Sequence, residues 1–298
     1  MCGIYGYIGN VKVKHRKRMV ELVMALGTLT EVRGIDATGF YAKSNAFEYM
    51  EKHSVQASVF YLESDSFQEA ILDGAFVFIG HNRHASIGNI CNDNAHPFMT
   101  DNIALVHNGS CSHALNLLTA EEKASMEGST DSEAITIYLE RVGIRSKNYA
   151  NLSNFSIVAF DRIKNVLYFA RDEYRPMVIA DLRKTYGVRV FASTVEILRA
   201  ALIKCKMAVP DNIFATRVNH LYEVKASDGE VSRLFDFGIS TSRSPKRVEP
   251  KRVSHTTPVE YKTPTYLDYL RNRDAYHFST KADGIKTLVA RGMAVYGD

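Results

Sequence analysis

Nine short runs rich in β-branched and aromatic residues punctuate the first 225 residues of the chain: GIYGYI (3–8), TGFYAK (38–43), AFVFIGH (75–81), NIALVHN (102–108), FSIVAFD (155–161), NVLYFAR (165–171), PMVIA (176–180), VRVFAS (188–193) and HLYEVK (220–225). Such runs read as strands, and several are apolar at odd and even positions alike, so both faces of the resulting sheets need cover. The connections are short. DRIK between FSIVAF and NVLYFA predicts a hairpin and antiparallel pairing. Helical spacing is confined to three segments: 16–29, where Met19, Val20, Val23, Met24 and Leu26 share a face, then 131–142 and 194–204. Thr130 or Ser129 is placed to cap the second, with Glu133 near enough to assist. Strand-rich sheets covered on both sides by a few helices make a layered α+β architecture.

At 298 residues, 46% hydrophobic and 23% charged, the chain has the composition of an ordinary globular protein. No apolar run reaches the ~18 residues of a spanning helix, and no signal-peptide pattern opens the chain. Four cysteines, Cys2, Cys91, Cys111 and Cys205, are too few for a disulfide framework at this length, so a reducing, cytoplasmic setting is expected. The net charge of +4 is a property of the C-terminal end. Residues 240–298 carry eleven Lys/Arg against six Asp/Glu, leaving the body near neutral, so any nucleic-acid contact would have to come from this basic tail. The expected organisation is a domain at 1–239, a basic Pro/Ser-rich linker at 240–264 and a short, partly helical extension at 265–298.

Polar motifs sit at the edges of the predicted strands and helices: Cys2 with Gly3, RGIDATG (33–39), GHNRHASIGN (80–89), NAHPF (94–98), HNG (107–109) and STDSEAI (129–135). Taken in this order they resemble the class II glutamine amidotransferases, and most closely the glutaminase half of glucosamine-6-phosphate synthase and of amidophosphoribosyltransferase. The resemblance covers about residues 2–237. It implies the N-terminal nucleophile hydrolase fold, a four-layer αββα sandwich of two antiparallel sheets, with L-glutamine as substrate and no cofactor or metal.

The residues themselves suit that chemistry. Removal of Met1 would leave Cys2 with a thiol and an α-amine of pKa about 8, a nucleophile that carries its own base. Asn108 and the Gly109 N–H are candidate donors to the oxyanion formed when sulfur attacks an amide. Arg83 is suited to a substrate α-carboxylate through paired hydrogen bonds, and Asp131, at a helix start, to the α-ammonium. The resemblance assigns these roles to the same positions and places Ser86 beside the carboxylate. Arg33 and Asp36 are read as braces, Gly34 as a tight turn near the nucleophile, and His81, Asn94, His96 and His107 as packing or hydrogen-bonding support.

Departures from the family pattern are confined to a few positions. Ala37 and Thr38 replace a usual Ser-Ala pair, and His84 and Ile87 stand in the loop expected to close over glutamine. Cys91, His96, His107, Cys111 and His113 fall within 23 residues, yet lack C-x-x-C or H-x-x-x-H spacing, so no zinc site is expected. The sixty residues after the resemblance hold no phosphate-binding loop. Ammonia would pass to a separate synthase or ligase subunit, the alternatives being a stand-alone glutaminase or a silent glutamine-binding module.

Overall fold

The structure, a computed structural model, describes residues 1–238. The linker at 240–264 and the extension at 265–298 lie outside the described residues. A seven-stranded sheet contains β1 (Gly3–Gly9), β2 (Ala37–Lys43), β3 (Glu48–His53), β4 (Val77–Arg83), β9 (Val178–Leu182), β10 (Val188–Ala192) and β11 (Ile213–Ala215), in the order β11-β9-β10-β1-β4-β2-β3. A six-stranded sheet contains β5 (Phe98–Met99), β6 (Ile103–Gly109), β7 (Phe155–Asp161), β8 (Val166–Arg171), β12 (His220–Lys225) and β13 (Val231–Asp236), in the order β13-β12-β8-β7-β6-β5. Neighbouring strands run antiparallel, including the β7–β8 hairpin read from DRIK.

The helices are α1 (Arg16–Thr30), α2 (Ala57–Glu63), α3 (Ser66–Leu72), α4 (Ala120–Ala124), α5 (Asp131–Val142), α6 (Arg183–Tyr186) and α7 (Val195–Lys204). Three apolar layers order them. Met19, Leu22 and Leu26 of α1, with Phe60, Phe67 and Leu198, cover Tyr7, Phe40, Phe78 and Val190 on the outside of the first sheet. Ile4, Ile8, Tyr41 and Ile79 meet Val106, Val158, Phe160 and Phe169 between the sheets. Ile135, Tyr138 and Leu139 of α5 cover Leu105, Ile157 and Tyr168 on the far side. This is the αββα sandwich, and it explains the two-faced strands: alternate residues enter different layers, each large side chain contributing about 1.5–3 kcal/mol on burial.

Two features of this packing position the site. β1 is the middle strand of its sheet, so the start of the chain is held by β10 on one side and β4 on the other. Helix α5 begins where the Thr130 side chain accepts the Glu133 N–H. The expected reciprocal cap is not formed. The Glu133 carboxylate instead accepts the N–H groups of Glu127 and Gly128, fixing the turn that leads into the helix. Among the described residues no helix is long and apolar enough to cross a membrane.

Candidate active site

Cys2 immediately precedes β1, and its carbonyl accepts a hydrogen bond from Arg33 Nε at 2.8 Å. Ile4 and Ile8 of β1 enter the layer between the sheets; Cys2 shares their phase and opens the same interface at its end. Its Sγ lies 3.3 Å from the His84 N–H and 3.4 Å from the His84 carbonyl. Burial raises the thiol above its usual range, opposed by the His84 N–H. The α-amine, carried by Met1, moves the other way: burial lowers it, opposed by Cys2 and assisted by Arg33 and Arg175.

The remaining candidates arrive on rigid elements. Arg83 ends β4 and Asp131 begins α5, each less than a tenth exposed. Gly34 makes the approach of Arg83 possible. A Cβ there would lie 2.5 Å from the Arg83 carbonyl carbon and 2.7 Å from the His84 nitrogen, so the glycine, whose N–H closes a turn on the Glu31 carbonyl at 3.2 Å, also allows close backbone approach. Asp36 completes the brace, accepting the Ala85 N–H at 2.9 Å while its own N–H bonds the Arg83 carbonyl. At Gly109, φ is +154° and a Cβ would collide with the Asn154 carbonyl.

One cavity gathers Cys2, Arg83, Ser86, Gly109, Asp131, His96 and His107, together with Thr130 and Ser132. Its volume is about 10 Å³, room for about one water. The polar groups are meanwhile engaged with the protein. Arg83 donates to the carbonyls of Ile87 (2.7 Å), Asn89 (2.8 Å) and Gly88 (3.3 Å), Asp131 accepts the Cys111 N–H at 2.6 Å, and Ser86 meets Ser110 at 3.1 Å. The segment 84–90 is thus held against Arg83, with the His84 main chain on the Cys2 sulfur. Asn94 ties it further, donating to the Asn89 carbonyl at 3.0 Å and accepting the Ser129 N–H at 2.8 Å.

Beneath the cavity lie three buried histidines. His81 stacks on His96 with centroids 3.9 Å apart, and its Nε2 donates to the His107 carbonyl at 3.2 Å. His107 Nδ1 meets Ser132 Oγ at 2.9 Å. Burial holds all three neutral, pushing His81 down to about 3, His96 far down and His107 down. Asn108 lies just outside the cavity lining, its Nδ2 bonded to Ser193 Oγ at 2.9 Å. Ser193, Ser110, Ser132 and Arg175 were not singled out by the motifs. Ser193 is a lone serine at the end of VRVFAS, with no pattern around it to mark it.

The cysteines are all free. Cys111 and His113 touch at 3.8 Å, but His113 Nε2 is bonded to the Asn151 carbonyl and His96 stacks on His81. Among the described residues no group of three or more His, Cys, Asp and Glu is arranged to hold a metal ion. A larger cleft of about 700 Å³ lies at the far ends of the strands, lined by residues such as Asn10, Lys164, Glu223 and Lys225, none of them a site candidate.

No family model matches the chain. Curated relatives do. The glutamine–fructose-6-phosphate aminotransferase (isomerizing) of Brucella abortus is 34% identical over 143 residues, 47% of this chain and 22% of the relative. That of Chlorobaculum tepidum is 33% identical over 146 residues, 48% of this chain and again 22% of the relative. The chain thus spans about a fifth of the length of the curated relatives it matches. Among solved structures, the glutamine phosphoribosylpyrophosphate amidotransferase from B. subtilis, complexed with ADP and GMP, superimposes with a TM-score of 0.57 at 18% identity, over 80% of this chain and 50% of that one. The likeness shows the fold, a sandwich of two antiparallel sheets between helical layers, and the homologues are of the kind that the motifs resemble.

Proposed function

We propose that the chain acts as a class II glutamine amidotransferase, hydrolysing the side-chain amide of L-glutamine to glutamate and ammonia, with Cys2 as nucleophile once Met1 is removed. The observation that carries this reading is the single cavity in which the Cys2 thiol, the Arg83 guanidinium, the Asp131 carboxylate and Gly109 converge. An anion-binding group and a cation-binding group flanking one sulfur fit a zwitterionic amino acid better than a peptide or a simple amide.

In this reading the Cys2 α-amine takes the thiol proton and the sulfur attacks the amide carbon. The carbonyl electron pair moves to oxygen, where Asn108 and the Gly109 N–H offset the developing charge. Collapse breaks the C–N bond, and the proton held by the amine passes to the departing nitrogen, which leaves as ammonia. Water then attacks the thioester and surrenders a proton to the same amine, giving glutamate and restoring the thiol. An α-amine has an ordinary pKa of about 8, so a useful fraction of a freed Cys2 amine is neutral and basic near pH 7. Arg33, Gly34, Asp36, His81, His96 and His107 support this arrangement without contacting the reacting atoms.

In this reading the ammonia passes to a synthase or ligase partner, in a cytoplasmic setting; the support is that the relatives extend well beyond the segment matched here. Intact-mass measurement should show a chain lacking Met1, and 6-diazo-5-oxonorleucine should alkylate the Cys2 peptide and abolish ammonia release, as should Cys2→Ala. Alkylation at Cys91 or Cys111, or full activity in Cys2→Ala, overturns the assignment.

A further inference from the structure

We infer that Ser193 is a positioning residue that fixes the Asn108 amide relative to the nucleophile strand; the inference rests on the glutaminase reading above. Ser193 follows the last residue of β10 and is fully buried. Its main-chain N–H donates to the Ile4 carbonyl at 2.9 Å, extending the β10–β1 ladder by one position toward Cys2. The hydroxyl does more. It accepts the Ile4 N–H at 2.8 Å and an Asn108 Nδ2 hydrogen at 2.9 Å, while its own proton is directed to the Ile4 carbonyl at 3.3 Å.

A hydroxyl has one donor and two acceptor sites, and here all three are used. The partners belong to different sheets: Ile4 sits in the seven-stranded sheet two residues from the nucleophile, and Asn108 in the six-stranded one. Alternation explains the meeting. Phe191 of β10, Ile4 of β1 and Val106 of β6 all face the layer between the sheets, so residues two further along, 193 and 108, face it too, at its open end. Deeper in that layer the contacts are apolar and adaptable. At this end a directional hydrogen bond replaces them.

The amide needs such a fixture. Asn108 is buried, its Oδ1 has no hydrogen-bond partner, and the Nδ2 contact to Ser193, beside the His81 ring, holds the group. One of the two Nδ2 hydrogens is occupied by Ser193. The other remains for the oxyanion, its direction set because the amide is planar. Ser193 touches no reacting atom. It sets the geometry of the group that does.

Steady-state kinetics on single and double variants test this. Ser193→Ala should lower kcat about tenfold with KM for glutamine changed less than twofold, and Ser193→Thr, which keeps the hydroxyl, should restore most of it. Asn108→Ala should lower kcat by more, and adding Ser193→Ala to it should cost less than a further twofold. Equal losses from Ser193→Ala in both backgrounds, or a rise in KM matching the fall in kcat, would assign Ser193 to strand packing alone and overturn the inference. If Ser193→Ala does not fold, Thr and Val at 193, equal in shape and differing in the hydroxyl, make the same comparison. Full kcat in Asn108→Ala would instead remove the oxyanion role from Asn108, a failure of the underlying reading that is distinct from the failure of this inference.

Discussion

The site has two halves of different construction. One is borne on strands and a helix end: Cys2 before β1, Arg83 on β4, Asn108 and Gly109 on β6, Asp131 at the start of α5. Of these, Arg83, Asn108 and Asp131 are less than a tenth exposed. The other is the segment 84–90, in which His84, Ser86, Gly88, Asn89 and Ile90 are exposed and whose grip on the site is made by backbone carbonyls. The difference teaches how labour is divided. The framework fixes the positions of Cys2, Arg83 and Asp131, and the loop is held to Arg83 by main-chain carbonyls, which in the proposed function a substrate carboxylate would replace. A cavity of about 10 Å³ is too small for an amino acid, so under the proposed function the substrate carboxylate has to displace the loop carbonyls from Arg83.

The sharpest break of this contrast is at Arg83, which belongs to the framework but holds the loop. Arg83→Lys retains the charge and loses the planar fork, so kcat/KM should fall roughly 30- to 100-fold, equivalent to about 2–3 kcal/mol, chiefly through KM. Glutamine titration measures this, and an unchanged KM would place the carboxylate elsewhere. The framework itself should respond to acid. His81, His96 and His107 are neutral when folded, with pKa values below those of the unfolded chain, so their stabilisation is complete above pH ~6.5 and is lost as pH falls toward the folded values, about 3 for His81. Urea unfolding at pH 7 and pH 5 should differ by about 2 kcal/mol for each histidine that stays neutral. Equal stability at the two pH values would mean that these rings take up protons in the folded state. The smallest effect is expected from Asn94→Ala, which removes one of the two donors to the Asn89 carbonyl and the acceptor of the Ser129 N–H. KM should shift roughly two- to fivefold, about 0.5–1 kcal/mol, with kcat retained. A larger loss in kcat than in KM would show that the loop takes part in the chemistry.

What the chain disclosed in advance follows the same division. The central strands were legible because alternate residues enter two apolar layers, as in FSIVAFD, where all seven residues are buried. Edge strands were not. EYMEKH of β3 is charged and half exposed, VSRLFD of β13 likewise, and β5 has only two residues; sparse apolar patterning at an edge discourages pairing with other chains and also hides the strand from a periodicity search. Helices α2 and α3, two turns each, are too short to show a repeating face. In the site, residues with specific chemistry were found through their motifs. Ser193 was not, because its contacts to Ile4 and Asn108 exist only after strands far apart in sequence have paired. His84 shows the converse. It departs from the family pattern, yet its contact to the Cys2 sulfur is made by main-chain atoms, which any residue supplies.

The central place of β1 has a consequence in time. The strand is synthesised before both of its partners, residues 77–82 and 188–192. At the usual rate of synthesis the second partner follows on the order of ten to forty seconds later. Until then β1 can pair only on its β4 side, and the Asn108 amide has no Ser193 hydroxyl to meet. A nascent chain therefore carries the Cys2 thiol long before the surroundings of that thiol are complete, and if the proposed function holds, the site is finished only near residue 193, at the opposite end of the domain's sequence from Cys2.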